Sequence, residues 1–126
     1  MEKRIYYHDT DAGGVVYYGR YLNYLEEART ELLESKGVDI DLFRTQEFLY
    51  AVRQCSITYK SPDRYGDTIK TTTEITKISA AQITFDQQIH VIPENRLILQ
   101  AEVTVVSLTK EFKPTPIPDN IREKLS

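Results

Sequence analysis

From Tyr18 to Lys36 the residues Tyr21, Leu25, Ala28 and Leu32 recur at intervals of four, three and four, with Leu22, Tyr24 and Leu33 beside them. Glu26, Glu27, Thr30, Glu31 and Glu34 fill the other side. Residues three and four apart share one side of an α-helix, so the spacing predicts an amphipathic helix of about five turns. Gly13-Gly14 precedes it and Gly37 follows it. The latter suits a left-handed C-terminal cap, a conformation that glycine enters without steric cost.

Beyond Gly37 the period changes to two. Tyr50–Tyr59 alternates Ala51, Arg53, Cys55, Ile57 and Tyr59 against Val52, Gln54, Ser56 and Thr58, giving one face more apolar than the other. Thr68–Ile78 is rich in β-branched Thr and Ile, Gln82–Ile92 puts Ile83, Phe85, Ile89 and Val91 on one face, and Leu97–Leu108 does the same with Leu97, Leu99, Ala101, Val103 and Val105. These patterns predict four long strands, with Arg4–His8 as a further one. The connections Ser61 to Asp67, Ser79 to Ala81 and Pro93 to Arg96 are too short for a crossover helix, so the strands run antiparallel. One striped helix and one sheet must bury their apolar faces on each other, an α+β arrangement. Strands roughly twice the usual length predict a sheet that curls around the helix, and the long edges left over predict self-association.

The chain has 126 residues, which fits one domain over residues 1–126. Sixteen Lys and Arg against 19 Asp and Glu leave a net charge of −3, spread along the chain. That excludes an electrostatic footprint for nucleic acid and a polybasic membrane anchor. The longest apolar run, Phe48 to Val52, is far short of a membrane span or a signal-peptide core, so neither is expected. The single cysteine, Cys55, has no second one to bridge, and no paired Cys/His spacing exists. A cytoplasmic location without structural zinc is the expectation.

The chemistry concentrates between Tyr6 and Tyr21, where two carboxylates, Asp9 and Asp11, and two glycines stand before the helix start. A helix N-terminus presents backbone N–H groups and partial positive charge, which can hold a carbonyl oxygen as it becomes an oxyanion. A carboxylate opposite it can act as nucleophile or general base. These are parts for hydrolysing an acyl group without a serine triad, although such loops also serve as plain turns and caps. No Gly-x-Ser-x-Gly elbow, Gly-x-Gly-x-x-Gly or phosphate loop points to another mechanism.

The string Asp9-Thr10-Asp11-Ala12-Gly13-Gly14-Val15-Val16-Tyr17, with Tyr21 and Glu27-Ala28-Arg29 on the helix, resembles the signature of the 4-hydroxybenzoyl-CoA thioesterase and YbgC-type acyl-CoA thioesterase family. Gly66-Asp67 entering a strand and the ending Lys113-Pro114-Thr115-Pro116-Ile117-Pro118 are also similar to the family pattern. The resemblance implies a hotdog fold, a long central helix wrapped by a curved antiparallel sheet. It implies hydrolysis of an acyl-CoA thioester to free acid and coenzyme A, with Asp11 as nucleophile or general base. The backbone N–H at Tyr18, near the helix start and helped by Gly19, would polarise the carbonyl, and Gly13, Gly14, Tyr17 and Gly19 would meet substrate. Many YbgC-type members carry histidine where this chain has Tyr18, a departure that bears on substrate preference. The family further implies a homo-oligomer, a dimer of dimers, with substrate entering between subunits. No cofactor beyond the substrate's own coenzyme A is implied.

Other residues carry plainer expectations. His8, Asp9 and Asp11 fall short of a metal set. Asp9 reads as a loop-capping acceptor, Cys55 as a small buried hydrophobe, and His90 as a surface or interface histidine. Tyr6, Tyr7, Tyr17, Tyr18, Tyr21 and Tyr24 either line an acyl pocket or serve as core and subunit contacts. Glu26, Glu27 and Glu31 form a solvated helix face, with Arg29 and Arg20 relieving the like charges. Lys60, Arg64, Lys77 and Arg96 are candidates for the phosphates of coenzyme A. Two other functions compete: a thioesterase acting on acyl carrier protein, and a hotdog domain that binds acyl ligands or partner proteins without turnover.

Overall fold

In a computed structural model that describes residues 1–11, 14, 16 and 18–126, the predicted helix is α1, Tyr18–Ser35. It ends as the glycine predicted: Gly37 has φ +84°, its N–H reaches the Glu34 carbonyl at 2.9 Å, and the Val38 N–H reaches the Leu33 carbonyl at 2.9 Å. These two bonds satisfy carbonyls that the last turn would otherwise leave open.

The strands are β1 (Glu2–Arg4), β2 (Leu49–Tyr59), β3 (Thr68–Ile78), β4 (Gln82–Ile92) and β5 (Arg96–Leu108). They form one sheet in the order β1-β3-β4-β5-β2, with every pair antiparallel. On β4 burial alternates strictly, with Ile83, Phe85, Gln87, Ile89 and Val91 inward. That face joins Ile98, Leu99, Ala101, Val103 and Val105 of β5 and Tyr24, Leu25, Ala28 and Leu33 of α1 in the core. Burying one such Leu, Ile or Phe stabilises by about 1.5–3 kcal/mol. Register shifts between Val52 and Gln54, Ile75 and Lys77, and Ile89 and His90 bend three of the strands. The result is the hotdog arrangement, a long helix held in a curved antiparallel sheet.

Gln87, the polar residue on that inward face, donates to the Leu25 carbonyl at 2.9 Å and to Thr73 Oγ1 at 3.0 Å, and accepts from Arg29 Nη1 at 3.0 Å. Arg29 is therefore buried against the sheet, which corrects the expectation that it relieves Glu27 and Glu31. A long aliphatic stem lets a guanidinium reach a buried acceptor that lies across the stripe.

Further corrections concern the elements and the one cysteine. The first strand is Glu2–Arg4, not Arg4–His8, and Tyr7–Asp9 is a turn of 3₁₀ helix. Ile5 gives its N–H to the Asp67 carbonyl and its own carbonyl to the Gly66 N–H, and the Asp9 carboxylate then captures the Tyr6 N–H, so pairing with β3 stops there. Two short helices lie outside the sequence reading, α2 (Ile40–Thr45) and α3 (Asp119–Leu125). Asp39 caps α2 by accepting from the Leu42 N–H at 2.9 Å. α3 buries Ile121 and Leu125, and Arg122 fixes it to the Ser79 and Ala80 carbonyls. Cys55 is exposed, not buried, because β2 is a sheet edge with only Tyr50 and Ile57 half-covered, so neither of its faces is closed over by this chain.

Candidate active site

The loop before α1 closes on itself. Thr10 pairs with Val16 as an isolated bridge, and the Gly14 N–H reaches the Asp11 carbonyl at 3.0 Å. Gly14 has φ +79°, and a Cβ there would meet nothing within 4 Å, so its need for glycine is conformational. Asp11 is exposed at the head of this loop. It lines a cleft of ≈ 320 Å³ together with Val16, Tyr18, Tyr21, Tyr59, Lys60, Ser61 and Pro62.

Tyr18 is both a wall of this cleft and the first residue of α1, so an aspartate and the start of an 18-residue helix line the same cleft. The Tyr18 and Tyr59 rings meet at 4.9 Å between centroids, and Tyr59 meets Tyr21 at 5.8 Å. The site thus offers an anion, helix-start donors and an aromatic wall, the combination that attack on a polarised acyl carbonyl needs.

Gly14 turns the loop and Gly19 is the second residue of α1; neither is among the described lining residues. Gly13 and Tyr17 lie outside the described residues. Tyr21 and Tyr24 are core residues, whereas Tyr6, Tyr7 and Tyr18 are exposed. Of the four candidate cations, Lys60 stands in the cleft. Arg96 is engaged by Ser61 Oγ at 2.9 Å, the Pro62 carbonyl at 2.7 Å and Glu94 at 3.3 Å. Lys77 lines a separate groove with Leu32 and Lys36, and Arg64 is exposed outside the cleft wall. Among the described residues no group of three or more His, Cys, Asp and Glu converges as a metal site would.

Asp9 is the capping acceptor that the sequence suggests. Its Oδ2 takes the Tyr6 N–H at 3.0 Å, Oδ1 lies 3.5 Å from His8 Nε2 and 4.0 Å from Arg20 Nε, and the side chain is 2% exposed. Burial pushes its pKa up, but the Tyr6 N–H, the Tyr24 hydroxyl and the charges of His8 and Lys3 outweigh that and hold it below the ordinary value. The Tyr24 hydroxyl stands close enough to feel Asp9 without reaching hydrogen-bond geometry, and burial first and Asp9 second push its own pKa up. A carboxylate with a lowered folded pKa gives stability that is whole above its unfolded pKa and lost as pH falls through the folded one. Asp9→Asn is expected to cost about 1–3 kcal/mol at neutral pH. In urea melts at several pH values, the gap to the unaltered protein should shrink as the pH falls below about 4; a gap independent of pH would contradict the assignment.

Sequence reasoning missed Tyr59, Ser61, Pro62 and Asp63. Asp63 is fully buried behind the cleft, and its Oδ1 accepts from the Tyr21 hydroxyl. Burial, helped by the charge of Asp67, raises the pKa of Asp63 against the pull of Tyr21 and Arg96; burial and Asp63 raise that of Tyr21. An aspartate after a proline in a short connection reads as a turn residue, and nothing local marks it as interior.

The family model of the thioesterase-like superfamily matches residues 6–125. The acyl-CoA thioester hydrolase YbgC of Escherichia coli is 38% identical over 119 residues, covering 94% of this chain and 88% of that protein. A chloroplastic acyl-acyl carrier protein thioesterase of Arabidopsis thaliana is 33% identical over 124 residues, covering 98% of this chain and 65% of that protein. Among solved structures, a 1,4-dihydroxy-2-naphthoyl-CoA thioesterase from Synechocystis superposes with a TM-score of 0.90 at 26% identity, covering 99% of this chain and 93% of that one.

Proposed function

The chain belongs to the thioesterase-like superfamily, and from that premise we propose that it hydrolyses an acyl-CoA thioester to a carboxylic acid and coenzyme A. The observation that carries this reading is the cleft that Asp11 shares with Tyr18, the first residue of α1. The thioester carbonyl oxygen takes the Tyr18 backbone N–H, with Gly19 next in the first turn, as charge develops on it. Asp11 then supplies the reacting anion. Acting as base, it removes a proton from the water that attacks the carbonyl carbon; acting as nucleophile, it forms an anhydride that water opens. In either case the carbon–sulfur bond breaks, the thiolate leaves, and the proton from water ends on the thiol. Gly13, Gly14 and Tyr17 belong to the loop that substrate approaches. The working form is a homo-oligomer, a dimer of dimers, and a cytoplasmic location fits a chain with one cysteine.

The test is turnover of the purified protein on short, long and aromatic acyl-CoAs, followed by free thiol release. Failure on all of them overturns the reading. The Arabidopsis relative favours one alternative, action on acyl groups held by acyl carrier protein; faster release from the carrier protein than from coenzyme A, with the same acyl group, would select it. A carboxylate with helix-start donors needs no metal for this chemistry. EDTA-treated enzyme should keep its rate, and a rate restored only by an added divalent ion would contradict the proposed mechanism.

A further inference from the structure

Asp63 is not part of the cleft wall, yet it joins the pieces that form it. Its Oδ1 accepts from the hydroxyl of Tyr21, which lies in the first turn of α1. Its backbone carbonyl accepts the Val16 N–H at 3.2 Å, at the closing pair of the Asp11 loop. It directly follows Lys60, Ser61 and Pro62, and these, with Tyr21 and Val16, line the cleft. The connection that carries it is held from behind by Arg96, which donates to Ser61 Oγ and the Pro62 carbonyl. Three segments, the Asp11 loop, the helix start and the end of β2, thus meet at one residue.

Asp63 is 0% exposed, and its other oxygen, Oδ2, has no hydrogen-bond partner among the described residues. A half-satisfied carboxyl in a dry interior is costly by itself. What it provides is the bond to Tyr21, which fixes the helix start relative to the loop. We propose that Asp63 is a positioning residue: through Tyr21 and Val16 it sets the distance between the Asp11 carboxylate and the first turn of α1 across the cleft. A misplacement of about 1 Å can cost on the order of 10²-fold in rate, so a residue that touches no substrate still governs turnover here.

The inference rests on the reading of Asp11 as the reacting carboxylate, and its test separates the two. In Asp63→Ala, kcat on the best acyl-CoA should fall about 10- to 100-fold, while KM moves by less than about threefold because the binding walls remain. Asp63→Asn keeps an acceptor for the Tyr21 hydroxyl and should restore kcat to within about fivefold of the unaltered enzyme. The double variant Tyr21→Phe with Asp63→Ala should be no slower than the slower single variant, since both remove one interaction. Should Asp63→Ala not fold, Tyr21→Phe alone carries the same expectation for kcat. Amide hydrogen exchange gives a readout free of activity: the Gly14 and Val16 amides should exchange faster in Asp63→Ala and as usual in Asp63→Asn. Full kcat in a folded Asp63→Ala that merely melts earlier would overturn the proposal, as would an Asp63→Asn no better than alanine. A protein that hydrolyses no thioester would instead overturn the proposed function, and the exchange result would still decide the role of Asp63.

Discussion

Asp11→Asn is expected to lower kcat by about 10²–10⁴-fold, the usual worth of general acid–base catalysis, and by more if Asp11 is the nucleophile. The amide keeps the size and hydrogen-bonding shape of the carboxylate but supplies neither a base nor an anionic oxygen. Asp11 is exposed at the head of the loop, so the substitution buries no new polar group, and circular dichroism would verify the fold. KM should change little, because Tyr18, Tyr21, Tyr59 and Pro62 still form the cleft. Asp9→Asn provides the contrast: its carboxylate faces inward to the Tyr6 N–H, so that variant should lose stability and keep most of its kcat at temperatures where it is folded. If folded Asp11→Asn retains more than about a tenth of the original kcat, the bond is cut by another group. Single turnover in ¹⁸O-labelled water tests for the nucleophilic role of the carboxylate. Label in the Asp11 side chain marks an anhydride opened at the Asp11 carbonyl, whereas label in the product acid alone is the outcome common to direct attack by water and to an anhydride opened at the acyl carbon.

The parts of this molecule legible in the sequence are those where one chain supplies both the periodic face and what covers it. β3 runs over the residues that β-branched Thr and Ile mark, β4 over those that alternation marks, and α1 over the residues of the 3.6-residue stripe, because the helix and the inner sheet face bury each other. The family string likewise marked the Asp11 loop, whose local turn and bridge are short-range features. Asp63 was illegible because its partner Tyr21 is 42 positions away. Burial of a carboxyl is decided by packing, which no local pattern encodes. Arg29 was misjudged for the same reason, its acceptor Gln87 being 58 positions away. The short helices α2 and α3 hide in a different way: six and seven residues are too few for a periodic stripe, although Asp39 before Ile40 is a readable cap. Cys55 was misplaced because alternation on β2 implies a cover that this chain does not provide.

That missing cover leads to the second large expected effect. Among the described residues β2 pairs only with β5, leaving a row of backbone groups along an 11-residue edge, and Leu49, Val52 and Tyr59 stand exposed on it. Such an edge is a template for another strand, and natural proteins that stay monomeric blunt it with charge, proline or bulges. Here a bulge occurs between Val52 and Gln54, and Arg53 is the one charged residue on the strand, so the edge is only partly blunted. Two copies joined along β2 would cover the apolar side chains and continue the sheet across the pair. Light scattering at micromolar concentration should therefore give a multiple of 14.6 kDa, and the monomer mass would sink the idea. Val52→Lys tests the edge itself. Val52 is 52% exposed within one chain, so a lysine there changes monomer stability by no more than about 0.5 kcal/mol. Facing a second copy, the same ammonium must be desolvated beside its symmetry mate, which is unfavourable for both. The variant should run as a folded monomer, with thioesterase activity lost if the cleft takes one of its walls from the neighbouring copy. A Val52→Lys protein that keeps the full oligomer mass would show that the copies meet through a different face.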